Sequence, residues 1–163
     1  MTESKPEKLI NHLKHEINCI EELILLLTEE KKVLAQRQFE ELEPIANQKE
    51  LLSKKLEQSA SERMQLLEMA AYKDAKLALQ TFLNYCSSTE ANQINELNTE
   101  LAEKIATCRE LNSINGQVIT TNLSTRQEII NILTGRENTT AINVYTANGD
   151  LKASVEPSCH QEA

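Results

Sequence analysis

Apolar residues recur along the first part of the chain at Ile10, Leu13, Ile17, Ile20, Ile24, Leu27 and Leu34, in alternating steps of three and four, with Lys31 as the one lapse. That spacing matches the seam of a supercoiled helix and conflicts with the two-residue period of a strand. Leu9, Leu23 and Leu26 widen the stripe beyond a two-stranded seam, so this helix must face at least two others. Its start is also written locally. Ser4 suits an N-cap, Pro6 suits the first turn, and Glu7 completes a capping box with Ser4.

The pattern breaks around residues 36–43, and Pro44 marks the first turn of a second helix. This helix carries Ile45, Leu52, Leu56, Leu66 and Leu67, and Lys49 and Arg63 fall on its seam. Both bases are expected to lie along the stripe with their charges extended to water. A shorter amphipathic segment follows over 69–86, with Ala75, Leu79, Phe82 and Leu83. Ser88 or Thr89 is expected to cap the last helix, which runs from about Ala91 to Leu133 and stops at Gly135. Its stripe is Ile94, Leu97, Leu101, Ile105, Cys108, Leu111, Val118, Ile119, Ile129, Ile130 and Leu133. At about 1.5 Å per residue this helix outruns its neighbours, so one end should project. Asn115, Gly116 and Asn122 interrupt its second half and predict a weak spot, since Gly in a helix costs about 1 kcal/mol against Ala.

Only three glycines and three prolines punctuate the 163 residues, too few for a sandwich or an α/β fold of this length. The expected class is all-α: an elongated antiparallel helical bundle or coiled-coil hairpin over 1–135, with a mobile C-terminal tail over 136–163. In the tail, Asn148-Gly149 between short alternating stretches signals a hairpin, which is marginal alone in water.

The formal net charge of −8 argues against nucleic acid and anionic lipid surfaces as partners. Met1 to Glu7 lacks the features of a signal peptide, and the run Ile20 to Leu27 is too short to span a membrane, so neither secretion nor membrane insertion is expected. The four cysteines form no Cys-x-x-Cys pair and read as reduced thiols.

Chemistry has few parts to build on. His12, His15, Glu16 and Cys19 form the one metal-like cluster, and they are expected on the solvated face of the first helix. No Glu-x-x-His pair, Gly-rich phosphate loop or buried histidine base is evident. The reading is therefore a protein that is not an enzyme, binds no metal or cofactor, and works through helical surfaces.

The order of features resembles the FlgN family of flagellar type III export chaperones over most of residues 9–150. The resemblance rests on the Leu-rich opening (Leu9, Leu13, Leu23, Leu26, Leu27, then Glu30 and Leu34) and on Lys49 with Leu51, Leu52 and Leu56. It continues through Leu111-Asn112-Ser113-Ile114-Asn115-Gly116-Gln117-Val118-Ile119, then Leu133-Thr134-Gly135 and Tyr145-Thr146-Ala147-Asn148-Gly149. Gly116 and the Thr/Ser-rich run after it depart from the family's pattern.

The resemblance implies a cytoplasmic chaperone. It would hold the C-terminal amphipathic helices of the hook-filament junction proteins FlgK and FlgL and deliver them to an export gate component. The alternative is a structural coiled-coil subunit or export accessory protein of a larger assembly; weak self-association is compatible with either. The expected client surface is the second half of the last helix: Leu111, Val118, Ile119, Leu123, Ile129, Ile130 and Leu133, with Tyr145 from the tail. Apolar residues recur there without an evident internal partner.

Overall fold

In the computed structural model, residues 3–68 and 74–135 are described in full, and 142–145 and 151–154 as backbone. Four α-helices form: α1 (Lys5–Gln36), α2 (Leu42–Leu66), α3 (Ala75–Leu83) and α4 (Ser88–Thr134). Two strands follow, β1 (Ile142–Tyr145) and β2 (Leu151–Ser154). The fold is all-α apart from this ribbon, as the apolar spacing requires. The chain forms two compact units, Met1–Ile119 and Thr120–Ala163.

Local signals place the helix ends. Ser4 Oγ accepts from the Glu7 N–H, and Glu7 returns a carboxylate to the Ser4 N–H, which is the expected capping box. α1 stops at Arg37, whose φ of 57° is left-handed, and a 3₁₀ turn over Phe39–Glu41 leads into α2. Pro44 lies in the first turn of α2, where its missing N–H costs nothing. The cap of α4 is Ser87 rather than Ser88 or Thr89. Its N–H and Oγ both donate to Glu90 at 2.8 Å, and the Glu90 N–H donates back to Ser87 Oγ. The helix continues through Gly116 to Thr134, where Gly135 closes it at φ 64°. Gly116 therefore does not break it.

In the first unit, Leu9, Ile10, Leu13, Ile17, Ile20 and Leu27 of α1 and Ile94, Leu101 and Cys108 of α4 form one buried cluster. Leu56 and Leu66 of α2 and Leu79, Phe82 and Leu83 of α3 pack against it. α2 runs antiparallel to α1: Lys49 meets Glu30, and Arg63 meets Glu16. α4 runs parallel to α1, since Lys104 meets Glu21 and Asn115 meets Leu27 and Glu30. The three long helices thus go up, down and up.

Three sequence expectations are corrected in this core. Glu16 and Cys19 are buried, not on a solvated face. Lys49 and Arg63 do not extend to water. Lys49 Nζ lies 2.9 Å from Glu30 Oε1, and Arg63 Nε lies 3.0 Å from Glu16 Oε1, with both carboxylates buried. Asn115 is no interruption: it is 1% exposed and donates through Nδ2 to the Leu27 carbonyl and to Glu30 Oε2, both at 2.8 Å. The reason is periodicity. Glu16 and Glu30 are two heptads apart on α1, Lys49 and Arg63 are two heptads apart on α2, and Asn115 continues the heptad Ile94, Leu101, Cys108 on α4. These polar residues occupy core sites, and each carboxylate finds a base at the same level of the antiparallel neighbour.

In the second unit, β1 and β2 pair antiparallel with Tyr145 opposite Leu151. This matches the hairpin signal, although residues 146–150, including Asn148-Gly149, lie outside the described residues. The expected mobility of residues 136–163 likewise falls largely outside them.

Candidate functional site

The candidate surface is built on α4. Leu111 is half-buried and packs against the core cluster of the first unit, and Ile119 is half-buried. Val118 is 38% exposed. Beyond it, Leu123 (56%), Ile129 (50%), Ile130 (51%) and Leu133 (80%) keep half or more of their surface in water. Tyr145 stands in β1, and its side chain lies outside the described residues. Two residues not singled out from the sequence belong with this set: Ile132, 75% exposed, and Ile114, 36% exposed. The signal for Ile132 was available, since Val118, Thr125 and Ile132 repeat at heptad spacing beside the stripe of Leu123 and Ile130.

Three polar side chains on this stretch of the helix bond within it. Thr125 Oγ1 donates to the Thr121 carbonyl at 3.0 Å, and Thr134 Oγ1 donates to the Ile130 carbonyl at 2.7 Å. Gln127 Nε2 donates to Asn131 Oδ1 at 3.0 Å. Thr125 and Thr134 thus turn their hydroxyls onto the helix backbone, and α4 presents its exposed aliphatic side chains there beside the exposed polar run 124–128.

Fully burying an aliphatic side chain is worth about 1.5–3 kcal/mol. Covering the five residues from Leu123 to Leu133 that are half exposed or more would therefore recover roughly 5–10 kcal/mol gross. Association itself costs about 4–15 kcal/mol, so this face at most about offsets that cost, and net affinity requires apolar surface buried on the partner as well.

Other surfaces offer less. Leu25 and Leu51 are exposed between α1 and α2, in a shallow groove lined also by Leu26 and Leu52 and edged by Glu22, Gln48 and Lys55. His15 Nε2 lies 3.7 Å from Cys19 Sγ, and His12 Nδ1 lies 3.7 Å from Glu62 Oε2. Among the described residues, no three His, Cys, Asp or Glu side chains converge as metal donors would. Burial pushes the Cys19, Cys86 and Cys108 thiols up, which makes them poor nucleophiles. Among the described residues no helix is long and apolar enough to cross a membrane.

A family model described as FlgN protein matches residues 1–153, from the N-terminus of the chain into β2. The chain belongs to the FlgN family. No curated protein and no solved structure matches it. FlgN proteins are flagellar export chaperones, so the role to be explained is the holding of flagellar proteins. For a FlgN chain, a set of exposed aliphatic side chains on one helix is a surface suited to that role. Leu123, Ile129, Ile130, Ile132 and Leu133 lie within three turns of α4.

Proposed function

We propose that this chain holds the C-terminal amphipathic helices of hook-filament junction proteins of the FlgK and FlgL type and delivers them, in the cytoplasm, to a component of the export gate. The client helix lies on the α4 face formed by Val118, Leu123, Ile129, Ile130, Ile132 and Leu133, with Leu111 and Ile119 at its near end and Tyr145 contributing from β1. The observation that carries this reading is the exposure of five aliphatic side chains, Leu123, Ile129, Ile130, Ile132 and Leu133, on the last turns of α4. An amphipathic helix without a partner exposes an apolar stripe and self-associates. Packing that stripe on a complementary helix removes both faces from water.

The test is calorimetric titration of a client C-terminal peptide into the parent chain and into Leu123→Ser/Ile130→Ser/Leu133→Ser. The triple variant should lose at least about tenfold in affinity, or 1.4 kcal/mol, while keeping its melting temperature. Leu25→Ser/Leu51→Ser should bind like the parent. Unchanged binding by the triple variant would refute the placement. Weak self-association through the same face is expected to be dispersed by the peptide, which light scattering would read.

A further inference from the structure

Asn115 joins three helices at one level. Its Nδ2 donates to the Leu27 carbonyl and to Glu30 Oε2 of α1, and the other oxygen of Glu30 takes Lys49 Nζ of α2 at 2.9 Å. The connection between α1 and α2 is short, residues 37–41, and fixes how far α2 can slide along α1. α4 is not tied directly to α2: it follows α3 after residues 84–87, and a slide of α4 must carry with it α3, whose Leu79, Phe82 and Leu83 are held on the core by packing alone. The axial position of α4 must come from contacts. The layers at Ile94 and Leu101 discriminate little between registers one heptad apart, since one aliphatic side chain replaces another, whereas Cys108 at the Leu101 level would leave a gap. Asn115 discriminates as well. One heptad further on, Asn122 is half-buried and carries the same side chain.

We propose that Asn115 is the axial register lock of α4, and that Asn122 provides a second seat, displaced by seven residues or about 10 Å along the helix. The present register wins for a physical reason. Sliding α4 to seat Asn122 on Glu30 and Leu27 carries Asn115 into the position of Cys108, away from Glu30 and among apolar side chains. A buried amide without partners disfavours that arrangement. The lock is not fully satisfied even in place, because Asn115 Oδ1 is buried with no hydrogen-bond partner. Its selectivity therefore rests on the two Nδ2 bonds. A single buried Asn commonly fixes register in coiled coils in this way, at some cost in stability. A slide would also change which α4 residues follow the last paired layer, and so the reach of the client face; that consequence rests on the proposed function, whereas the register itself does not.

Nuclear magnetic resonance on the full chain tests the lock without any client. In the parent, the Asn115 side-chain amide protons should exchange roughly a hundredfold more slowly than a free amide, and those of Asn122 should not. In Asn115→Leu, with Asn115→Val as the second variant if leucine overpacks the site, protection should pass to the Asn122 amide. Lys104 should then leave Glu21, 2.8 Å away in the parent, and Leu111 should take its place in cross-relaxation to α1. Asn122→Leu should keep the parent pattern. Two results would overturn the proposal: an unprotected Asn115 amide in the parent, or folded Asn115 variants that retain the Lys104–Glu21 contact and leave Asn122 unprotected.

Discussion

Replacing Lys49 with Met would strand Glu30. The Glu30 side chain is 5% exposed and the Lys49 side chain 25%, so removing the base leaves the carboxylate buried with the Asn115 amide as its remaining partner. Breaking a buried ion pair from one side costs about 3–5 kcal/mol. The surviving Asn115 bond places this case near 3 kcal/mol. A unit spanning Met1–Ile119 unfolds with an entropy of about 0.25 kcal/mol/K, so the melting temperature should fall by roughly 12 °C. Lys54→Met is the control. It breaks the Glu50–Lys54 pair, 2.8 Å apart with both side chains about two-thirds exposed, and should leave the melting temperature unchanged within error. Replacing the whole layer reverses the sign: Glu30→Leu/Lys49→Leu/Asn115→Leu removes every buried polar group together and should melt at or above the parent. Differential scanning calorimetry reads all three. A Lys49→Met variant within about 1 kcal/mol of the parent, or a triple variant as unstable as the single one, would refute the buried polar layer.

Other outcomes follow from the same core and caps. Leu27→Asp should cost more than about 3 kcal/mol in chemical denaturation because it buries an unpaired carboxylate, whereas exposed His15→Ala should be neutral. Cys19 and Cys108, with thiols pushed up by burial, should resist alkylation at pH 8 until the protein is unfolded. The Glu7 carboxyl is held below its ordinary value of 4.5, first by the Ser4 N–H and then by the Ser4 hydroxyl. Its contribution to stability is therefore present above pH 4.5 and is lost as pH falls through the lower folded value. In a carbon-detected titration, Ser4→Ala, which keeps the N–H and removes only the hydroxyl, should move the Glu7 midpoint part of the way back up.

Much of the architecture was legible because helix signals are local. Ser4 and Glu7, Pro44 and Gly135 act within one turn of where they stand, and the aliphatic spacing of α1 states which face is buried. The polar layers were not legible by the same route. Residue type alone assigns Glu16, Glu30, Lys49, Arg63 and Asn115 to water, even where periodicity puts Lys49 and Arg63 on the seam. Their meaning appears only when two helices are set antiparallel. Acids two heptads apart on α1 then meet bases two heptads apart on α2. The α4 surface was partly legible. Leu123, Ile129, Ile130 and Leu133 stood out by recurrence, while the heptad row of Val118 and Ile132 carried a weaker signal because Thr125 stands at its middle.

Chemical-shift mapping with a client C-terminal helix is the most direct test of the account. Titrating the peptide into isotope-labelled chain should perturb amides over residues 118–133 and leave those around Leu25 and Leu51 unmoved, with saturation at micromolar or lower concentrations. Shifts confined to the groove between α1 and α2, or absent from α4 beyond Val118, would contradict the central claim that this helix face is where the chaperone holds its cargo.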